Sequence, residues 1–172
     1  SFVRGPDDIN EARKLLRDAG GQGHIVAKIE RSEAVQNLEA IIDTTDAVMV
    51  ARGDLGVEIG DAELPRLQKL ITRKSLEQNR IVITATQMMQ SMVESPIPTR
   101  AEVLDVANSV FDGTDAVMLS AETAVGQHPH IVVEAMNRIC LGAERQDNSN
   151  PECEHLNVQF QRIDQAIAMA AM

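Results

Sequence analysis

Four short apolar segments recur along the chain, and stretches with helical periodicity separate them. The segments begin near positions 24, 47, 80 and 116 and consist mainly of Val, Ile, Ala and Met. Short and nearly continuous apolar runs are typical of strands that are buried on both faces of a parallel sheet. The pattern therefore predicts successive βα units around a parallel sheet.

Turn and capping residues set the boundaries of these elements. Pro6 suits the start of a helix, and Thr99 and Glu102 have the spacing of a capping box. Residues 53–56 contain two glycines and are predicted as a turn. The predicted strands are 24–30, 47–52, 81–86 and 116–122, and the predicted helices are 6–19, 32–42, 62–78, 99–113 and 129–143.

The number of strands leaves two architectures open. Four strands are too few to close an eight-stranded barrel, so the chain fits part of one. A small doubly wound sheet is the alternative, although no G-x-G-x-x-G sequence follows any predicted strand.

Composition and charge narrow the possible functions. The net charge of −10 disfavours a nucleic-acid or anionic membrane partner, and so does the near absence of aromatic residues for base stacking. No stretch approaches the length of a membrane span. Cys140 and Cys153 have no paired or metal-ligand spacing, which favours a reducing cytoplasm.

Polar residues collect where each predicted strand ends, and in a barrel catalytic groups sit at that rim. The strand ends carry Lys28 and Glu30, Arg52 and Asp54, Thr84 and Thr86, and Ser120 and Glu122. A single Lys or Glu at such a position is most often a surface residue. The repetition of the pattern on four strands is the stronger signal.

The first two strand ends suit a divalent cation and an anionic substrate. Glu30 and Asp54 follow adjacent strands, so their carboxylates can converge on Mg²⁺ (or Mn²⁺), which also keeps several waters. Lys28 points to the same side as Glu30 and adds positive charge for a transferring phosphoryl group or an enolate oxygen. The backbone of Ala51, Arg52, Gly53 and Asp54 can offer N–H groups to a substrate carboxylate.

The last two strand ends offer groups for proton handling. Thr86 and Ser120 supply hydroxyls, and Glu122 supplies a carboxylate. None has an adjacent histidine, so a Ser-His-Asp hydrolase is not expected. His128 and His130 are interpreted as surface residues, because no third metal ligand is placed near them.

The same residues resemble the signature sequences of the pyruvate kinase family, in its bacterial form. Five segments stand in the family's order and at its spacing, and together the resemblance covers residues 1–143. The segments are 27–30, 49–58, 84–88, 98–103 and 118–124. Ala121 stands where many relatives have Gly, which leaves the chemistry intact.

The resemblance implies transfer of a phosphoryl group from phosphoenolpyruvate to ADP, which gives pyruvate and ATP. Lys28 would stabilise the phosphoryl group and the enolate, and Thr86 would sit near the face where the enolate is protonated. Ser120 and Glu122 would belong to a proton relay. Glu30 and Asp54 would hold Mg²⁺, and the backbone of residues 51–54 would seat the substrate carboxylate.

The resemblance also implies what lies outside these residues. Residues 1–145 would form the C-terminal half of the catalytic (β/α)₈ barrel, truncated at both ends, followed by a linker at 146–160 and the start of a helix of another domain at 161–172. The family requires K⁺, whose ligands are expected elsewhere, and is usually a homotetramer. The chain alone is therefore expected to be inactive.

Two other functions remain possible from the residues alone. A Mg²⁺-dependent keto-acid aldolase or lyase barrel also places Glu and Asp at strand ends, but it would not consume ADP. A non-catalytic metabolite-binding domain is the second alternative. The presence of every predicted acid, base and cation ligand in these residues argues against it.

Overall fold

The computed structural model describes residues 1–147, with the side chains of residues 1–145. Its centre is a four-stranded parallel sheet with the strand order β1-β2-β3-β4, so each strand pairs with the next one in sequence. The strands are Val26–Ile29 (β1), Ala47–Ala51 (β2), Ile81–Ala85 (β3) and Ala116–Met118 (β4). All four predicted strands are present, and their sequential parallel order is that of a barrel segment.

Helices connect the strands and flank the sheet. They are α1 (Pro6–Asp18), α2 (Ser32–Gln36), α3 (Leu38–Thr44), α4 (Arg52–Ile59), α5 (Leu64–Glu77), α6 (Arg100–Phe111), α7 (Ala121–Ala124) and α8 (Pro129–Asp147), with a 3₁₀ helix at Gln90–Val93. The capping box predicted at the start of α6 is confirmed, because the Thr99 side chain accepts from the Glu102 N–H and the Glu102 carboxylate accepts from the Thr99 N–H.

The structure corrects two of the helix boundaries. The helix predicted at 32–42 is two helices that meet at Asn37, whose side chain donates to the carbonyl of Arg4. The turn predicted at 53–56 is instead part of α4, which ends at Ile59 and is followed by the capping residue Gly60 with φ of 88°. Glycine is unfavourable within helices, so contacts with other elements must hold α4 in place.

The fourth strand is shorter than predicted. It ends at Met118 instead of reaching Glu122, and the short helix α7 begins after Ser120. The Ser120 N–H donates to the Glu122 carboxylate at 2.7 Å, a local bond that competes with continuation of the strand. The predicted strand end is therefore a strand followed by a turn into α7.

Two clusters of buried residues form the core. The first is almost wholly aliphatic and lies around β1, β2 and α3; among its members are Ile9, Ile29, Ile41, Val48 and Leu55. The second lies around α6, α8 and the segment after β3, and it is rich in methionine: Met88, Met89, Met92, Val106, Val132, Ala135 and Met136. Neither cluster contains an aromatic residue.

The predicted domain boundaries fall near the end of the described residues. Residues 146 and 147, predicted as the start of a linker, belong to α8. The rest of the linker and the helix predicted at 161–172 lie outside the described residues. In the part of the chain that is described, no helix is long and apolar enough to cross a membrane.

Candidate active site

Three charged side chains meet at the carboxyl ends of β1 and β2. The Lys28 Nζ atom lies 2.5 Å from Glu30 Oε2 and 3.2 Å from Asp54 Oδ2. Lys28 pairs with Met49 in the register of the two strands, which brings the end of β1 beside the start of α4. The convergence predicted for Lys28, Glu30 and Asp54 is present in the structure.

The three side chains differ in their access to solvent. Glu30 is buried, with 2% of its side chain exposed, whereas Lys28 is 28% exposed and Asp54 is 64% exposed. Glu30 Oε1 accepts a hydrogen bond from the Phe2 N–H at 2.5 Å. Glu30 Oε2 has the Lys28 ammonium beside it, and no other partner for this oxygen is found within the described residues.

The two carboxylates hold Lys28 in its charged form. Contact with Glu30 raises the pKa of Lys28, burial opposes this rise, and Asp54 adds to it. The ammonium group therefore stays charged at neutral pH and is placed between two carboxylates. A group in this position can stabilise negative charge that develops on a substrate.

The donor set fits a hard divalent cation. Glu30 Oε2 is buried with the Lys28 ammonium as its one partner among the described residues, and the Asp54 carboxylate is exposed to solvent. Mg²⁺ is often bound by one or two carboxylates, with waters and substrate oxygens completing the shell. Among residues 1–145 there is no group of three or more His, Cys, Asp or Glu side chains arranged for a metal, so such a cation would rely on those other ligands.

The start of α4 packs directly against the segment after β3. The Gly53 N–H donates to Thr86 Oγ1 at 2.8 Å, and Thr86 Oγ1 donates to the Ala85 carbonyl at 2.7 Å. A Cβ atom at position 53 would lie 3.4 Å from Thr86 Oγ1, at the limit of ordinary van der Waals contact. The N–H of Gly53, predicted to bind a substrate carboxylate, has the Thr86 hydroxyl as its partner.

Arg52 is engaged with the protein itself. Its guanidinium is 7% exposed and donates to both carboxylate oxygens of Asp105 and to the carbonyls of Thr86 and Gln87. Arg52 was predicted as part of a substrate-binding backbone, and that prediction stays open. Its side chain, however, supports the neighbouring loop.

Thr86 and Gln87 have left-handed backbones, with φ of 68° and 54°. This conformation is uncommon for residues other than glycine, and it is least favourable for β-branched residues such as threonine. Strained backbone of this kind concentrates at functional sites where surrounding contacts enforce it. Thr86, singled out from the sequence as a catalytic candidate, carries that strain.

Ser120 and Glu122 lie together at the end of β4. Glu122 is fully buried, and its two carboxylate oxygens accept from the N–H groups of Met89 and Ser120, at 3.1 and 2.7 Å. No hydrogen bond or ion pair within the described residues joins Ser120 or Glu122 to Lys28. The predicted proton-relay residues thus meet each other, but they form a group separate from the charged one.

Sequence reasoning missed Asp105, Gln87 and Met89. Asp105 lies on α6, 53 residues from Arg52, and nothing in its own neighbourhood marks it as a partner. Gln87 and Met89 act through backbone atoms, which the sequence does not reveal. The one available signal was the isolated Arg52 at the end of an apolar strand, because a buried arginine requires an acceptor.

A parallel βα sheet in sequential strand order, with a lysine and two carboxylates at the carboxyl ends of its strands, is typical of part of a (β/α) barrel. A family model described as the pyruvate kinase barrel domain matches residues 1–133. The chain therefore belongs to the pyruvate kinase family, which confirms the resemblance and the partial-barrel fold predicted from the sequence.

Individual relatives agree with this assignment. The chain is 60% identical to pyruvate kinase II of Salmonella typhimurium and 55% identical to the pyruvate kinase of Haemophilus influenzae; both matches cover all of this chain, but 36% and 37% of those proteins. The crystal structure of a pyruvate kinase from Cryptosporidium parvum superposes with a TM-score of 0.82 at 43% identity, over 84% of this chain and 31% of that one. The chain thus spans little more than a third of the length of these curated relatives.

Proposed function

We propose that this chain supplies the metal-binding and phosphoryl-stabilising half of an active site that transfers a phosphoryl group from phosphoenolpyruvate to ADP. The observation that carries the proposal is the convergence of Lys28, Glu30 and Asp54 at adjacent strand ends. Membership in the pyruvate kinase family favours this reaction over an aldolase or lyase and over a non-catalytic domain.

Glu30 and Asp54 are the residues proposed to hold Mg²⁺ or Mn²⁺. When bound there, the cation supplies positive charge that neutralises the phosphoryl oxygens and the enolate. Glu30 is fixed by its hydrogen bond from Phe2, whereas exposed Asp54 is free to adjust to waters and substrate oxygens. This pairing of a fixed and an adjustable ligand suits a site that binds metal together with its substrate.

Lys28 is proposed to stabilise the phosphoryl group during its transfer. During transfer the bond from the enol oxygen to phosphorus breaks, and a bond from phosphorus to the terminal oxygen of ADP forms. Negative charge then remains on the enolate oxygen until a proton reaches carbon. The contact with Glu30, and then that with Asp54, raises the pKa of Lys28, so Lys28 is an ammonium ion before the substrate binds.

Substrate orientation is assigned to the two segments that meet beside Lys28. The backbone of Ala51, Arg52, Gly53 and Asp54, at the start of α4, is proposed to bind the substrate carboxylate, which would share the Gly53 N–H with the Thr86 hydroxyl. Thr86 is proposed to face the enolate carbon that receives the proton.

Ser120 and Glu122 are proposed to serve the proton relay. Glu122 would act mainly by fixing the Met89 and Ser120 amides that it binds.

Further features of the complete enzyme are carried over from the family. They are the binding of ADP and ATP, a requirement for K⁺, a homotetrameric assembly and a cytoplasmic location. We expect the 172-residue chain alone to be inactive, because the resemblance places much of the nucleotide site and the K⁺ ligands outside it.

The test is pyruvate formation by a protein of the relatives' full length that carries residues 1–172. The reaction contains phosphoenolpyruvate, ADP, Mg²⁺ and K⁺, and parallel reactions omit ADP or Mg²⁺. We expect pyruvate and ATP in equal amounts, with both absent when either component is left out.

Two results would contradict the proposal. Pyruvate release without ADP would favour a lyase or phosphatase. A folded protein that binds Mn²⁺ yet forms no pyruvate would favour the metabolite-binding alternative.

A further inference from the structure

We propose that Asp105 is a positioning residue, which acts through Arg52 to hold Thr86 and Gln87 in the backbone conformation that the reaction requires. The inference rests on the proposed function, since it assigns Thr86 to the reacting face of the substrate. Asp105 itself lies on α6, away from the Lys28 group.

The contacts form a chain from α6 to the segment after β3. Arg52 makes five hydrogen bonds. Two go from its Nη1 atom to the Asp105 oxygens at 2.8 and 2.7 Å, two go to the Thr86 carbonyl at 3.2 and 3.0 Å, and one goes to the Gln87 carbonyl at 2.9 Å. All the guanidinium nitrogens are therefore bonded within the protein.

Asp105 offsets the electrostatic cost of burying the Arg52 guanidinium. Arg52 is buried, with only 7% of its side chain exposed, and Asp105 supplies the carboxylate that balances its charge. A buried cation that loses its partner is strongly destabilised. Without Asp105, the guanidinium would move toward water and release the two carbonyls.

Those carbonyls belong to the two residues with strained backbones. Thr86 and Gln87 have φ of 68° and 54°, a conformation that costs roughly 1–2 kcal/mol per residue. Arg52 donates to both carbonyls and thereby favours the strained conformation over relaxed alternatives. The Gly53 N–H bond to Thr86 Oγ1 depends on the same conformation, because the hydroxyl must face the start of α4.

The first test compares Asp105→Asn with the wild type in the full-length protein. Asparagine keeps an acceptor oxygen and removes the charge, so we expect kcat to fall about tenfold or more, as a positioning error of about 1 Å can cost 10²-fold. The KM for phosphoenolpyruvate should change less than about threefold, because uniform substrate binding is retained.

Asp46→Asn is the matched control. Asp46 is also a partly buried aspartate paired with an arginine, Arg13 at 2.8 Å, but it lies next to the amino end of β2. We expect it to lower stability and leave kcat within about twofold. Equal kcat losses in the two variants would overturn the proposal.

The second test restores the backbone instead of the charge. Glycine adopts left-handed conformations readily, so Gln87→Gly should favour the active conformation once the Arg52 contacts are weakened. Added to Asp105→Asn, it should recover about fivefold in kcat, while in the wild type it should give no gain because that conformation already predominates. A merely structural role for Asp105 predicts no such selective rescue, and its absence would count against the inference.

An activity-independent readout separates this inference from the proposed function. Amide hydrogen exchange at Gly53 reports the bond to Thr86 Oγ1, and we expect faster exchange in Asp105→Asn and restored protection in the double variant. If Asp105→Asn does not fold, Arg52→Lys provides the same test, since lysine keeps the charge but cannot reach both carbonyls and the carboxylate. Unchanged protection at Gly53 would overturn the positioning role even in a protein without kinase activity.

Discussion

The two halves of the rim at the carboxyl ends of the strands use polar groups in different ways. In the first half, Lys28 pairs with buried Glu30 and with Asp54, and Lys28 and Asp54 remain partly open to solvent. In the second half, Thr86 and Glu122 bond to backbone groups. The charged groups of the first half remain available for a ligand, whereas the polar groups of the second half fix the conformation of the loops.

A polar residue at a strand end therefore does not reveal its role by its polarity alone. Both halves look alike in sequence, with hydroxyl or charged residues following an apolar run. The two halves differ in the structure by the hydrogen-bond donors and acceptors that each side chain contacts. Substitutions in the first half should therefore act on the chemistry directly. Those in the second half should act through the conformation of the loops and the stability of the fold.

The largest expected effect is that of Lys28→Met on turnover. Loss of the ammonium removes charge stabilisation in the transition state, so kcat of the full-length protein should fall about 10³-fold. Lys14→Met is the matched control, because Lys14 also pairs with an acid, Asp18, but on the exposed face of α1. Activity within about tenfold of wild type in Lys28→Met would remove the proposed distinction between the halves.

Glu122→Gln should show the opposite behaviour. The amide keeps one acceptor but turns an N–H₂ group toward a backbone N–H, so unfolding should become easier by about 2–4 kcal/mol. Urea unfolding of the 172-residue chain measures the loss. A variant of unchanged stability with a large loss of turnover would instead place Glu122 in the chemistry itself.

Metal affinity provides a finer test within the first half. The Lys28 ammonium lies between both proposed ligands, so Lys28→Met should tighten Mn²⁺ binding about tenfold in the absence of substrate, as charge repulsion at this range is worth at least about 1 kcal/mol. Electron paramagnetic resonance of free Mn²⁺ gives the affinity. Glu30→Gln should weaken binding, and tighter binding in that variant would contradict the assignment of Glu30.

The smallest expected effect concerns acid stability of the capping box. Burial alone would raise the pKa of Glu102, but hydrogen bonds from Ser91 and Thr99 outweigh it and hold the pKa below its ordinary value of 4.5. The stability that ionised Glu102 contributes is therefore fully present above pH 4.5. It is lost as the pH falls through the lower pKa of Glu102 in the folded state.

Glu102→Gln should consequently cost about 1 kcal/mol at pH 7, and the difference from wild type should shrink below the folded-state pKa. Urea unfolding at several pH values measures it. Glu94→Gln, at an exposed position, is the control. A stability difference between Glu102→Gln and wild type that grows on acidification would contradict the lowered pKa of Glu102.

Much of the fold followed from local pattern, and the exceptions have physical causes. The four strands were predictable because apolar, β-rich runs have few alternatives. Helix α4 was missed because Gly53 and Gly56 disfavour helix locally, and the contacts of Arg52 with Asp105 and Thr86 override that preference. The sequence near α4 does not show that Arg52 will contact Asp105 and Thr86.

The candidate site divides in the same manner. Lys28 and Glu30 could be paired from strand alternation, and Asp54 from the adjacency of consecutive parallel strands. The role of the Arg52 side chain could not be predicted, because it depends on a residue of α6 and on two backbone carbonyls. The left-handed conformation of Thr86 was equally hidden, since threonine rarely adopts it.

The methionine-rich core beside the second half of the rim has a consequence for oxidative chemistry. Met88, Met89 and Met92 are fully buried, so peroxide reaches their sulfur atoms only when that part of the molecule opens. Each sulfoxide then places a polar group where the closed core has no room for one, which opposes reclosure. Oxidation of these three residues would therefore accumulate in proportion to how often the core around α6 and α8 opens, whereas the buried cluster around β1, β2 and α3 contains no methionine to oxidise.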